Sequence, residues 1–307
     1  MKRNDFLAGF LCYALWGALP LFWHVLEHVN FMVLLSSRIV LSAVFTLLLL
    51  AVTGSLDAFR AVLRDRRKML YLAAAAVVIS VNWGVYIWAV NAGHVMDASL
   101  GYYMNPLVVF ACGLIVFHEK CGAMEWAALA LAAAGVLAAT LQLGKFPFVA
   151  VTLAVTFSAY GVLKKYAGVS GIVSIAVETL LLAPFALGFL LLSPDVRAAA
   201  PQWSAGTWLL LIMTGPVTAV PMALYTRGVT TLPFTVMGFL QYVSPTLILF
   251  AGFLMGETIG DGQLLPFILI WLGLALFSAG MVRRERAQRR AAVTGTTETA
   301  GSAVDSQ

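Results

Sequence analysis

Residues 100–119 read LGYYMNPLVVFACGLIVFHE, a hydrophobic run interrupted near its start by Asn105-Pro106 and closed by the acid Glu119. Much the same run returns at residues 239–257, FLQYVSPTLILFAGFLMGE. There Tyr242 stands for Tyr103, Ser244-Pro245 for Asn105-Pro106, and Glu257 for Glu119. A membrane chain that repeats a Pro-interrupted span in both halves is expected to be two related bundles around a shared site. Other pairs keep an offset near 140: Trp16-Gly17 with Tyr160-Gly161, Tyr86 with Tyr225, and Arg38 with Glu178.

Composition agrees that lipid is the main solvent. Of the 307 residues, 61% are apolar and 11% charged, against roughly 25% charged in soluble domains. Apolar runs of about 18 or more residues recur along the chain, each long enough to cross about 30 Å of hydrocarbon. They are solidly apolar rather than alternating, which points away from a β-barrel. Three cysteines (Cys12, Cys112, Cys121) suggest no disulfide framework.

Ten spans are expected, at 6–24, 31–53, 70–91, 97–118, 123–142, 147–166, 171–192, 206–226, 232–255 and 263–282. Gly54 to Lys68 reads as a surface loop. With the N-terminus in the cytoplasm, that side holds Lys2, Arg3, the cluster from Arg60 to Lys68, Lys120, Lys164, Lys165, Arg227 and the arginines from Arg283 to Arg290. Only Lys145 and Arg197 fall outside, and Arg38 lies within a span. This satisfies the positive-inside rule with both termini cytoplasmic. Five spans per half start the second half on the opposite face, so the halves would be inverted copies. The expected domains are residues 1–143, the first five-helix repeat; 144–282, the second, inverted one; and 283–307, a disordered basic and polar tail.

Candidate functional residues are the polar groups that a bilayer penalises. Arg38 sits about eight residues into its span, about 12 Å deep at 1.5 Å per residue. A charge at that depth costs about 2.5–3.5 kcal/mol or more and should face a cavity or a partner. Glu178 lies comparably deep from the other face. The pair could line a central pathway, where Glu178 could carry a coupling proton, or form a structural ion pair. Asn82 and Tyr86 share a helix face and suit a small organic ligand, or else interhelical hydrogen bonding. Pro106 frees the carbonyl of Tyr102, and Pro245 that of Gln241, marking two candidate hinges. Glu119 and Glu257 read most simply as solvated span ends. Gly252-x-x-x-Gly256 could pack within the bundle or form a homodimer face.

His24 and His28 have metal-ligand spacing but no third ligand nearby in sequence. No nucleophile elbow, HExxH or Walker loop occurs, so neither catalysis, a cofactor, a metal nor intrinsic ATP-driven transport is expected.

The segments ASLGYYMNPL (98–107), GPVTAVPM (215–222) and FLQYVSPT (239–246), with VNWGVYIWAV (81–90), FSAYGVLKKYAG (157–168) and FILIWLGLALF, resemble the RarD subfamily of EamA-type transporters, in the drug/metabolite transporter superfamily. The resemblance covers about residues 5–282. It implies an all-α integral membrane protein, ten helices as two inverted five-helix repeats, with a central cavity open to one side at a time. Cavity positions implied by it are Trp16, Asn82, Tyr86, Tyr102, Asn105, Tyr160 and Gln241, with Arg38 and Glu178 beside them. The expected function is secondary transport, by resemblance export, of a small organic metabolite or drug. The rivals are a passive channel-like facilitator and a non-transporting membrane protein. Expected partners are the lipid bilayer and the solute, with a coupling proton or counter-substrate, and no nucleic acid. The expected location is the bacterial inner membrane.

Overall fold

The computed structural model describes residues 2–144, 146–254 and 265–284, without the side chains of residues 90, 91, 95, 143 and 251–254. Lys145, Gly256, Glu257 and the expected tail from residue 285 onward lie outside them, and so does the side chain of Asn91.

The regular elements of the described residues are all helical. They are α1 (Arg3–Val25), α2 (Phe31–Val52), α3 (Leu56–Arg64), α4 (Arg66–Asn91), α5 (Val95–Ile115), α6 (Ala123–Leu143), α7 (Phe148–Ala167) and α8 (Gly171–Leu192). After α9 (Pro194–Ala199) and a 3₁₀ turn come α10 (Ala205–Thr231), α11 (Phe234–Leu240), α12 (Val243–Leu254) and α13 (Leu265–Arg284). Nine of these are long and apolar enough to cross a membrane, and Phe234–Phe250 supplies a shorter apolar segment. The ten-span expectation and its boundaries therefore agree with the helices to within a few residues, and the chain is a ten-helix membrane protein.

Local chemistry sets the ends. Asn30 accepts the amide of Met32 at 2.9 Å to cap α2, and Ser204 accepts that of Thr207 at 3.1 Å to cap α10. Asp65 accepts the amides of Arg67 and Lys68 at the start of α4. The backbone bond from Lys68, foremost, holds its carboxyl below the usual carboxylate range. Gly168, at φ 59°, ends α7 in the left-handed conformation that glycine adopts freely.

Two expectations are corrected. The stretch expected as a surface loop contains α3, which buries Phe59 and Val62 against α4 and α8 and turns Asp57, Arg60 and Arg64 outward. It is a short amphipathic helix whose apolar face docks on the bundle. Pro106 does not interrupt its helix, because α5 runs through it unbroken; neighbouring helices make such prolines tolerable in membranes. The ninth span is broken where Pro245 withholds a donor from Gln241. Ser244 N reaches Gln241 O at 3.1 Å and Tyr242 N reaches Phe239 O at 3.2 Å, so the chain tightens to three-residue bonds there.

The contacts divide the chain into two compact units, residues 1–119 with 140–259 and residues 120–139 with 260–307. In the first, α1 packs on α10 and α12, and α7 packs on α4 and α5. Between these pairs, α2 lies against α8 and α5 against α11. The two stretches quoted at the outset thus cross each other. Phe110 meets Phe239 edge to face at 5.3 Å, and the Tyr242 hydroxyl donates to the Tyr103 carbonyl at 3.4 Å. A Cβ on Gly238 would stand 2.8 Å from the Pro106 carbonyl, so this crossing needs glycine. In the second unit, α6 and α13 pack through small residues. A Cβ on Gly135 would come to 2.9 Å from Pro266 O, and one on Gly273 to 2.9 Å from Ala128 O. Glu125 accepts from Arg284 at 3.0 Å in the same unit.

Candidate functional site

A cavity of about 960 Å³ enters the first unit between α1, α2, α4, α5, α7 and the α11–α12 break. Its rim is His24, Glu27, His28, Asn30 and Phe31, all exposed. The two histidines that have metal spacing bond elsewhere: His24 Nδ1 to Glu27 at 3.0 Å and His28 Nε2 to Thr207 at 3.3 Å. Tyr13 lines the deep end, and at 1.5 Å per residue it lies about 20 Å along α1 from Glu27.

Seven of the nine sequence candidates line this space: Trp16, Arg38, Asn82, Tyr86, Tyr102, Asn105 and Gln241. Pro245 lines it as well, whereas Pro106 stands behind Asn105 and does not. Asn82 spends both amide hydrogens on α7, donating to Leu153 O at 2.9 Å and Thr156 Oγ1 at 2.8 Å, which leaves its oxygen for the cavity. Tyr86 meets Tyr102 edge to face at 6.4 Å. Asn105 Oδ1 and Gln241 Oε1 are buried without a hydrogen-bond partner among the described residues. Arg38 makes no hydrogen bond or ion pair among the described residues. Its guanidinium carbon lies 4.9 Å from the Trp83 ring centre and 5.5 Å from that of Trp23.

Tyr160 and Glu178 lie outside the lining. Tyr160 donates to Glu178 at 2.9 Å and stacks on Tyr225 at 5.9 Å. Glu178 is paired with Lys164 and accepts from Ser174 at 2.9 Å, with Lys164 wholly buried. Glu178 and Arg38 therefore do not meet. Lys164, counted from sequence among the charges of the cytoplasmic side, is the partner that the sequence concealed: it lies in the last turn of α7 and points inward.

Below the cavity the bundle is closed. Tyr13, Trp16, Phe157, Tyr160 and Tyr225 form one aromatic cluster with ring centres 5.3–6.2 Å apart. At the far end Arg227 donates to Asp5 at 2.8 Å. Glu119 is not a solvated span end. It accepts the amides of Phe234 at 2.6 Å and Thr235 at 2.8 Å, and the Thr235 hydroxyl at 2.8 Å. These are free donors of the α11 N-terminus, so the acid of one repeated stretch caps the helix that leads into the other. Lys165 adds a contact to Glu119 at 3.7 Å and donates to Leu232 O at 2.7 Å. Sequence reasoning also passed over Trp23, Trp83 and Phe157 in the lining; alternating aromatics in uniformly apolar spans carry no signal for which face turns inward.

Over residues 5–141 the chain matches the EamA-like transporter family. It is 38% identical over 281 residues to the transporter YojE of Bacillus subtilis, covering 90% of this chain and 94% of that one. It is 36% identical over 290 residues to the protein RarD of Streptomyces exfoliatus, covering 94% and 92%. A crystal structure of another protein superposes with a TM-score of 0.71 over 90% of this chain and 97% of that one, at 19% identity, a likeness of fold.

Proposed function

Since this chain belongs to the EamA-like transporter family, and within it to the RarD subfamily of the drug/metabolite transporter superfamily, we propose that it is a secondary transporter that moves a small organic solute by alternating access. The observation that carries this is the one-sided cavity: an exposed rim, a polar and aromatic waist, and a closed floor. The closed end bears Arg3, Lys165 and Arg227, so under the positive-inside rule it faces the cytoplasm and the cavity faces outward. Both termini are then cytoplasmic, in a bacterial inner membrane. Export is the proposed direction, on the resemblance.

The packing pattern supports the inverted repeat. Renumbering the spans of one half as those of the other exchanges α1–α10 with α7–α4 and α1–α12 with α7–α5, and leaves α2–α8 and α5–α11 in place. Each half thus makes helix contacts that match those of the other in exchanged roles. The proposed stroke swaps them, opening the Glu119 cap and the floor while the rim closes. Pro245, at the α11–α12 break, is the proposed hinge; Pro106, inside a continuous helix, is the stiffer of the two. Trp16, Arg38, Asn82, Tyr86, Tyr102, Asn105 and Gln241 are the proposed solute contacts. Tyr160 and Glu178 act behind the floor.

The test begins with a ligand-stabilisation screen of the purified protein against metabolites and drugs. Counterflow of the hits is then measured in proteoliposomes. Saturable counterflow is expected, and flux that rises linearly with concentration would instead mark a channel.

A further inference from the structure

We infer that the solute is an organic monoanion, a carboxylate on a flat aromatic body, with its carboxylate held by Arg38. The inference rests on reading the cavity as the solute path. Arg38 lines that cavity with its Nε buried and unpartnered, and no described carboxylate pairs with it. A lone arginine in a membrane span is expected to have a partner, and here the described protein offers the Trp23 and Trp83 rings and, with no hydrogen bond to it, the neutral Tyr102 side chain nearby. Rings stabilise the cation but accept none of its N–H groups. These donors suit a carboxylate, which meets a guanidinium through two parallel bonds.

Charge count sets the class more finely. The sole described acid of the lining is Glu27, which sits at the exposed rim and is occupied by His24. Among the described residues deep in the cavity, Arg38 is the one side chain that carries a fixed charge. One guanidinium balances one negative charge, so a monoanion leaves the filled cavity neutral. A dianion would leave one charge unbalanced in a low-dielectric space, and a cation would face direct repulsion. The body follows from the walls, where Trp16, Tyr86, Tyr102 and Phe157 present ring faces and edges suited to aromatic contact. Asn105 and Gln241 add buried amide oxygens that would accept from a hydroxyl or amine on the ligand.

The test uses four probes of similar shape: 3-phenylpropionate, its amide, 3-phenylpropylamine and 2-phenylethyl phosphate. Binding to the full-length protein in zwitterionic nanodiscs is read from tryptophan quenching, since Trp23 and Trp83 flank the site, and from the shift in melting temperature. The carboxylate is expected to bind at least about tenfold more tightly than the amide or the phosphate, and the amine least. Arg38→Gln is expected to bring carboxylate and amide level, and Arg38→Lys to keep part of the preference. Equal binding of the amide and carboxylate by the wild type overturns the inference without need of a variant. So does tighter binding of the amine, or no saturable carboxylate binding at about 10 mM, far weaker than the roughly millimolar affinity of a few favourable contacts. A variant Arg38→Gln that keeps the tenfold preference overturns it as well. Solute counterflow without anion preference would sink only this assignment and leave the transporter reading standing.

Discussion

Removing the charge of Glu178 tests whether the acid serves the fold or the solute. Its side chain is 3% exposed and that of Lys164 is 0% exposed. Besides Lys164 it accepts from Ser174 and from the Tyr160 hydroxyl. Glu178→Gln leaves a buried ammonium with neutral acceptors alone, the new amide oxygen and Ser174 Oγ at 2.6 Å. Breaking a buried pair from one side costs about 3–5 kcal/mol, or about 6–20 °C in melting temperature on the scaling of soluble domains. Lys164→Met with Glu178→Leu removes both charges at similar volume and should recover most of that loss. Thermal unfolding of the purified single and double variants measures it, with solute counterflow in parallel. An expected coupling of at least about 2 kcal/mol appears as a double variant more stable than Glu178→Gln. A single variant melting within about 2 °C of wild type would refute the buried-pair reasoning. A stable double variant that no longer transports would return Glu178 to the transport cycle.

Other expectations follow from other contacts. Glu119→Ala strips the cap from Phe234 and Thr235, a loss of about 0.5–2 kcal/mol, and should raise thiol labelling of Thr235→Cys from the closed end; unchanged labelling contradicts the capping role. Gly238→Ala drives a Cβ to 2.8 Å from Pro106 O and should cost about 1–3 kcal/mol, seen as a lowered melting temperature. Gly135→Leu should likewise separate α6 from α13, since Pro266 O would stand 2.9 Å from its Cβ. At Asp65 the depressed carboxyl adds stability to the start of α4 that is complete above the unfolded value of about 3.9 and fades as pH falls through the lower folded value. A carbon-13 titration of Asp65 with its midpoint at or above about 3.9 would contradict that.

The spans were legible because lipid leaves the backbone few options, so apolar length alone places a helix. Tyr103 with Tyr242 and Pro106 with Pro245, matched in the sequence, lie in segments that cross in the bundle. The depth of Arg38 also read correctly as a charge that faces a cavity. What the sequence concealed was pairing at a distance. Lys164 was counted with the cytoplasmic charges because it lies in the last turn of α7, yet its long side chain turns inward to Glu178. Glu119 looked solvated because its partners, the amides of Phe234 and Thr235, have no side-chain signature and lie 115 and 116 residues away. The unbroken course of α5 through Pro106 was equally hidden, since a polar residue followed by proline breaks one helix and leaves the other continuous.

The central claim, a cavity open to one side at a time, is tested most directly by labelling Ile248→Cys in a protein whose Cys12, Cys112 and Cys121 are replaced. Ile248 lines the cavity and carries no polar duty. A membrane-impermeant thiol reagent is applied to right-side-out and to inside-out vesicles. The account predicts labelling from the outside at least about tenfold faster than from the inside, equivalent to a state preference of about 1.4 kcal/mol. It also predicts a shift toward inside labelling when Glu119→Ala opens the closed end. Equal labelling from both faces, with no response to Glu119→Ala, would contradict it and describe an open pore.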